Sequence, residues 1–441
     1  MPFMREGPLF PSKMTRIFHS IGSRVFYGWW IVGLGALING IGLGIIYHSF
    51  TVFFLPLKRD LGVSSAAISL LYGAARLEGG LEGPVVGHLI DRFGARKIIL
   101  IGASLAGIGL ILLATVHDYL TFFLIYVLIV SFGSNAGFFH PVTTVVNKWF
   151  IRRRGISFSI ISASGNVGGM IMAPSLAYII LNFGWRNGAI FAGLMILLVA
   201  LPCALRFKNS PEEMGLYPDG QPPLKNPMGA SGPSCPEVLD VNFSVKEALR
   251  TLHFWLLMAS ISLRLLVTVA LNTHFVPILV WKGMSEVASA FLVSVSALAA
   301  IFISLALGWL GDRWNKTLLS SVCLIPTILA MVGLIFSQEP AVLYFFPIGF
   351  AITFGTSPLN WALIGDFFGR NSYATLRGIM ALGYGTATFF SPIYAGWIFD
   401  RTESYTIVLI TFSIILLITA FFFALLSRLS PFPPKKAPIR P

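Results

Sequence analysis

The chain has 441 residues, of which 56% are hydrophobic and only 11% charged, and its mean hydropathy is +0.80. Soluble domains carry about 25% charged residues, so lipid is the solvent here and a soluble enzyme or soluble binding domain is excluded. The net charge of +13 does not mark a nucleic-acid binder, because the basic residues lie in short loops between apolar runs and not on one soluble face.

Hydrocarbon leaves no water for the backbone, so only helices and closed barrels span it, and long apolar runs without a period of two select helices. A tail over 1–26 has no apolar core of signal-peptide length and is expected to stay on the mature protein. About 20 apolar residues per span then place runs at 27–54, 64–88, 97–116, 120–146, 155–181 and 187–206. A Pro- and Gly-rich linker over 207–251 cannot form a packed core. Near its end Ser244-Val245-Lys246-Glu247 reads as a capping box that opens a short helix. A second set of runs follows at 252–280, 286–310, 317–337, 341–366, 373–399 and 404–427, with a tail over 428–441. The fold class predicted is an all-α membrane protein of twelve transmembrane helices, divided into six-helix bundles over 27–206 and 252–427.

Of the 31 lysines and arginines, 24 fall in the two tails and the even-numbered loops, with Arg377 counted in the loop entering the eleventh run. Five fall in the odd-numbered loops, so both termini are expected in the cytoplasm of a multi-pass cell-membrane protein. The remaining two, Arg76 and Arg264, lie inside runs. Cys203, Cys235 and Cys323 show no Cys-x-x-Cys spacing, and the histidines show no His-x-x-x-His, so no disulfide framework, metal site or cofactor is expected.

The halves repeat each other. Gly87-His88-Leu89-Ile90-Asp91-Arg92-Phe93-Gly94-Ala95-Arg96-Lys97 follows the second run, and Gly308-Trp309-Leu310-Gly311-Asp312-Arg313-Trp314-Asn315-Lys316 follows the eighth. Arg154-Gly155 entering the fifth run matches Arg377-Gly378 entering the eleventh. Internal repetition of this kind is characteristic of transporters. An aspartate set against another helix's N-terminus gains about 0.3–1 kcal/mol from the helix dipole. Asp91 and Asp312 are therefore read as gating latches between bundles, with Arg92 and Arg313 as partners and Gly87, Gly94, Arg96 and Gly308 completing the motif.

Two six-span halves, a long linker and a Gly-x-x-x-Asp-Arg loop in each half resemble the major facilitator superfamily over nearly the whole chain. Lys148-Trp149-Phe150-Ile151-Arg152-Arg153-Arg154-Gly155, Ser164-Gly165, Pro174, Gly184-Trp185-Arg186 and Pro211-Glu212-Glu213-Met214-Gly215-Leu216 are similar to segments of the monocarboxylate porters and the bacterial oxalate and formate antiporters. His48-Ser49-Phe50 resembles the first span of animal monocarboxylate carriers and puts His48 where those carry a lysine for substrate and proton. The resemblance also implies an arginine and an aspartate in the eighth span, where this chain has Ser304 and Ala300, and a lysine in the eleventh, where it offers Tyr384 and Thr386.

Ionisable groups at membrane depth are expensive and mark function by default. Arg76 lies roughly 16 Å before Gly87 at the helical rise, near the midplane, and Glu78 and Glu82 share one face a turn apart, which suits a proton carrier. The structural alternative is mutual neutralisation, with Gly79, Gly83 and Gly87 giving close helix packing. Arg264 sits at mid-depth with no acid on its own helix within a turn, and the resemblance places its span at the central cavity. It is therefore read as the main anion contact, joined by Arg76, His48, Asn39, Asn135, His140, Asn272, Asn360 and Tyr384; Glu78, Glu82 and His48 are read as the proton-coupling groups.

The function expected is a secondary, non-enzymatic carrier of a small organic anion, in the first place a monocarboxylate, coupled to protons or to a counter-substrate and working as a monomer in the bilayer. Efflux of hydrophobic or cationic compounds is the rival within transport, and a non-transporting receptor or sensor the rival of another class. No Gly-x-x-x-x-Gly-Lys-Ser/Thr loop is present for an ATP-driven pump.

Overall fold

The computed structural model describes residues 26–63, 65–221, 243–337 and 339–429; Cys235, most of both tails and the middle of the linker lie outside them. The first span is Tyr27–Leu43, a π-helical turn Gly44–His48, and Phe50–Asp60. The second is Ser65–Phe93 and the third Ala95–Leu113. The fourth is in pieces, Tyr119–Ile125, a π-helical turn Tyr126–Ser131, Phe132–Gly137 and Phe139–Trp149. The fifth is Arg154–Phe183 and the sixth Trp185–Leu205. In the second bundle the seventh span is Leu252–Thr273 and Phe275–Trp281, the eighth Glu286–Gly311, and the ninth Lys316–Val322 and Ile325–Phe336. The tenth is Pro340–Gly355 and Ser357–Phe368, the eleventh Tyr373–Thr402 and the twelfth Thr406–Arg428.

The breaks have sequence causes. Pro141 cannot donate to the Gly137 carbonyl, and the fourth span kinks at Phe138, where φ is −116° and ψ −100°. Pro358 cannot donate to the Phe354 carbonyl, and the tenth span, the repeat partner of the fourth, breaks at Thr356. The first and seventh spans, also repeat partners, are interrupted at Ser49, next to His48, and at His274. The capping box is present: Ser244 Oγ accepts from the Glu247 amide at 3.3 Å and the Ser244 amide donates to the Glu247 carboxylate at 2.9 Å.

Among the described residues, ten helices are long and apolar enough to cross a membrane by themselves; the second and eleventh spans are not among them. These two carry most of the intramembrane charge and lie against each other across the bundle interface. Their approach depends on missing side chains. A methyl on Gly83 would stand 2.7 Å from the Gly378 carbonyl oxygen, and one on Gly80 3.2 Å from Gly385 Cα. Gly87 abuts the backbone of Ala374 and Thr375. The expected stripe of Gly79, Gly83 and Gly87 is thus corrected at one position: Gly80 faces the eleventh span, and Gly79 packs on the Asn135 amide of the fourth.

Both bundles meet their connections at one end, called here the linker side. Tyr27 donates to the Arg206 carbonyl, Trp149 to the Lys208 carbonyl, and the Phe243 amide to the Phe368 carbonyl. Gly83→Val should destabilise the purified protein by about 1–3 kcal/mol, the usual overpacking penalty, seen as a lower melting temperature. An unchanged melting temperature would show that the second and eleventh spans are not held in close contact.

Candidate functional site

The linker side is closed by two repeat-related contacts. The Asp312 carboxylate accepts from the amides of Gly155 (2.6 Å) and Ile156 (3.0 Å), at the N-terminus of the fifth span. Asp91 accepts from the amide (2.8 Å) and hydroxyl (2.7 Å) of Thr375, at the N-terminus of the eleventh. Each carboxylate thus sits at the N-terminus of a helix of the other bundle, where the helix dipole favours its charge. The motif glycines serve this placement: Gly308 lets the eighth span lie against Gly155 and Ser159, Gly87 does the same at Ala374, and Gly94 turns the chain into the third span at φ +87°. The Arg96 amide then donates to Asn209 Oδ1 at 2.9 Å.

The partners differ from those expected. Arg92 lies over the Phe93 ring at 5.3 Å and Arg313 over Trp309 at 3.7 Å, on exposed rings where a cation gains from the π face instead of from the aspartates. The ions at the latch are Arg154 and Lys316, each 2.9 Å from Asp366, with Lys316 also 4.0 Å from Asp312. Linker residue Glu212 adds a 2.9 Å ion pair to Arg370 of the other bundle. Burial opposes charge on Glu212, but its own backbone amide and the Arg370 guanidinium hold its carboxyl below the ordinary range.

Between the bundles, above this closure, lies a cavity of about 400 Å³. It is bordered by residues of eight spans, the first, second, fourth, fifth, seventh, eighth, tenth and eleventh. Six of the expected residues line it: His48, Arg76, Glu82, Asn135, His140 and Tyr384. Glu78 stands just behind, accepting from Ser131 Oγ at 2.8 Å and Asn135 Nδ2 at 3.5 Å, while Tyr47 donates to Asn135 Oδ1 at 2.6 Å and lies under Arg76 at 5.3 Å. Glu82 is 8% exposed, and neither carboxylate oxygen has a hydrogen-bond partner among the described residues. His140 Nε2 is 3.1 Å from the Ala374 carbonyl; a carbonyl only accepts, so Nε2 carries the proton.

Four expected contacts do not reach the cavity. Asn39 donates to the Ile161 carbonyl at 2.7 Å and ties the first span to the fifth. Asn272 is exposed near the end of the seventh span. Arg264 is fully buried inside the second bundle with Asn360, and neither lines the cavity. Among the described residues Arg264 and Glu78 form no ion pair with each other: Arg264 bonds within its own bundle and Glu78 within the other.

The cavity cation that sequence reasoning left in a loop is Arg377. The second turn of the eleventh span carries it into the cavity, 3% exposed, with its guanidinium 4.6 Å from the ring centres of both Phe139 and Trp361. Nη1 donates to the Thr143 hydroxyl and the carbonyls of His140 (3.3 Å) and Phe139 (3.4 Å). Its repeat twin, Arg154, is neutralised by Asp366. Arg377 forms no ion pair among the described residues. Tyr384 stands two turns further along the same face, edge-on to Trp361 at 5.7 Å, with Ala381 and Gly385 leaving room beside it. The signal was in the sequence: Arg154 and Arg377 are a repeated pair, and only their partners differ.

A cavity at the junction of two repeats, mainly apolar with a few charged and polar groups converging on it and with one side sealed by helix-terminus contacts, is the geometry of alternating access. The family model of the Major Facilitator Superfamily matches residues 32–392. The chain belongs to the major facilitator superfamily. It is a transporter of that superfamily, similar to the uncharacterized transporter YhjX of Escherichia coli (strain K12), with 24% identity over 367 residues, 81% of this chain and 85% of that protein. Monocarboxylate transporter 12 of Mus musculus is 24% identical over 419 residues, 90% of this chain and 84% of its own. Among solved structures, the transporter FucP in its outward conformation aligns with a TM-score of 0.67 at 13% identity, over 90% of this chain and 98% of that one, which shows the same twelve-helix fold.

Removing the charge of either latch should loosen the closed linker side without touching the cavity. Asp312→Asn is expected to slow exchange while leaving substrate affinity within a few-fold, because charged hydrogen bonds of about 1.5–3 kcal/mol are lost from one conformation only. A large loss of affinity with normal exchange would contradict the latch.

Proposed function

We propose that this transporter is a secondary carrier of a small organic anion, a monocarboxylate before others, that sits in the cell membrane with both termini cytoplasmic. The observation that carries the reading is Arg377: a guanidinium on the cavity wall whose repeat twin has a carboxylate partner and which itself has none among the described residues. A substrate carboxylate supplies that partner. Arg76 from the other bundle adds a second positive charge to the same cavity, and the Tyr384 hydroxyl adds a donor. The similarity to proteins named monocarboxylate transporters supports the same substrate class.

Binding a charge between bundles also gives the cycle its logic. The anion screens Arg377 in the occupied cavity, and the latches of Asp91 and Asp312 are exchanged for contacts on the opposite side as the bundles rock. With the termini in the cytoplasm, the closed linker side makes this conformation outward-facing, like the named conformation of FucP. Glu82 and Glu78, a turn apart at the cavity wall, are the groups that take up and release a proton if transport is proton-coupled; exchange against a second anion would leave them as bystanders.

One observation favours a second reading. The buried carboxylate of Glu82 without a donor among the described residues, near the aromatic rings of Tyr47, Phe139, Phe354 and Trp361, also suits a hydrophobic cation. Proteoliposomes decide between them: uptake is measured for pyruvate and larger monocarboxylates with internal pH recorded, beside efflux of cationic dyes. Anion uptake is expected, and Arg377→Gln should raise the half-saturating concentration about tenfold or more, as loss of a charged hydrogen bond implies. Arg377→Lys should restore it only in part, since an ammonium does not fill a slot shaped between two rings for a planar fork. Dye efflux without anion uptake would establish the cationic reading, and unaltered anion uptake by Arg377→Gln would remove the anchor. For orientation, cysteines placed at the exposed linker residue Tyr217 and at the opposite-side residue Glu339 should be labelled from the cytoplasm and from outside respectively. The reverse pattern would invert the topology.

A further inference from the structure

We infer that Arg264 is a positioning residue: it caps the broken end of the tenth span and so fixes the part of that span that forms the cavity wall around Arg377. The guanidinium is fully buried, forms no ion pair among the described residues, and does not line the cavity. A buried cation needs compensation, and the tenth span provides it. The segment Pro340–Gly355 ends beside Arg264, because Pro358 cannot continue its hydrogen-bond ladder. The carbonyls at a helix C-terminus carry the negative end of the dipole. Arg264 Nη1 donates to one of them, Thr353, at 3.4 Å.

The same guanidinium reaches across the break. With the Asn360 amide turned so that its oxygen faces Arg264, Oδ1 accepts from Nε at 2.5 Å and from Nη2 at 3.3 Å. Arg264 therefore holds both pieces of the span, through Thr353 before the break and Asn360 after it. The Thr353 carbonyl also accepts from the Thr356 hydroxyl at 2.7 Å, and the Thr353 hydroxyl bonds that of Thr327 at 2.7 Å, so the first piece is itself fastened to the ninth span. The second piece bears Ser357, Pro358 and Trp361 on the cavity. Trp361 is one residue beyond Asn360 and is one of the two rings that enclose Arg377. In transporters with discontinuous helices, free carbonyls at such a break commonly serve a transported cation; here an internal arginine takes one of them, the Thr353 carbonyl.

This inference rests on the reading of the cavity as the transport site, but not on the substrate being an anion. Its test is done on the full chain with Cys203, Cys235 and Cys323 replaced and Ser357→Cys introduced as a reporter. The reactivity of that thiol towards a small charged reagent and the melting temperature are measured with Arg264 intact and in R264M, R264K and N360A. Carboxylate affinity is measured for the same substitutions with Ser357 retained. R264M and N360A should raise thiol reactivity about tenfold and weaken carboxylate binding about tenfold, with R264K intermediate. A lower melting temperature with unchanged reactivity and affinity in the folded variants would make Arg264 merely structural and overturn the inference. N360A keeps the buried charge at the helix end and severs only the tie to the second piece, so it decides the matter if R264M fails to fold. Because the thiol readout needs no ligand, a wild-type protein that binds none of the carboxylates would overturn the anion reading alone.

Discussion

A charge placed in hydrocarbon must be compensated within the protein, and the compensation found for each buried arginine organises this transporter. Arg154 is answered by a carboxylate, Asp366, and the pair helps close the linker side. Arg264 is answered by the C-terminal carbonyl of a broken helix and by Asn360. Arg377 is answered by two aromatic faces, a hydroxyl and backbone carbonyls, with no carboxylate among the described residues. The first lies at the closed linker side and the second at the break in the tenth span. Of the three, only Arg377 faces the cavity with no acid paired to it among the described residues, and the proposed anion reading rests on that difference.

The two halves repeat in backbone but not in charge. Breaks at Pro141 and Pro358, histidines at 48 and 274, and aspartates at 91 and 312 fall in corresponding spans of the two repeats. Glu78 and Glu82 have no acidic counterpart in the eighth span, where the matching residues are Ala299 and Ile303. The acidic pair thus belongs to one bundle and the uncompensated arginine to the other, on spans in glycine-lined contact. On the proposed anion reading, motion of one bundle relative to the other changes the separation of these groups and links anion binding to proton movement without direct contact between them.

The fold was legible because its determinants are local. Apolar run length, the repeated loop motif and the capping box at Ser244 each act within a few residues, and each motif aspartate stands one turn after a glycine. The site was only partly legible, since what decides it is the lateral contact of helices far apart in sequence. Arg76 and Glu82 are legible as charges at membrane depth and His48 and Tyr384 as positions set by the family resemblance, and these line the cavity with Asn135 and His140. Arg264 is likewise a charge at membrane depth and still faces inward, because a break in the tenth span satisfies it, and a proline at 358 does not announce which neighbour will cap the freed carbonyls. Arg377 was overlooked for the opposite reason: it stands in the second turn of its helix, next to loop residues, and only the narrow glycine contact with the second span brings it over the cavity floor. Hydropathy alone would also have lost the second and eleventh spans, whose polar residues face each other and the cavity.

The central claim is that the cavity recognises a negative charge. The most direct measurement is equilibrium titration of the purified transporter with a monocarboxylate and with its uncharged amide, which has nearly the same size and shape. The account predicts that the carboxylate binds roughly two- to thirtyfold more tightly than the amide, since a charged hydrogen bond is worth about 1.5–3 kcal/mol where a neutral one gives about 1. Equal affinities for the two, or tighter binding of the amide, would contradict it.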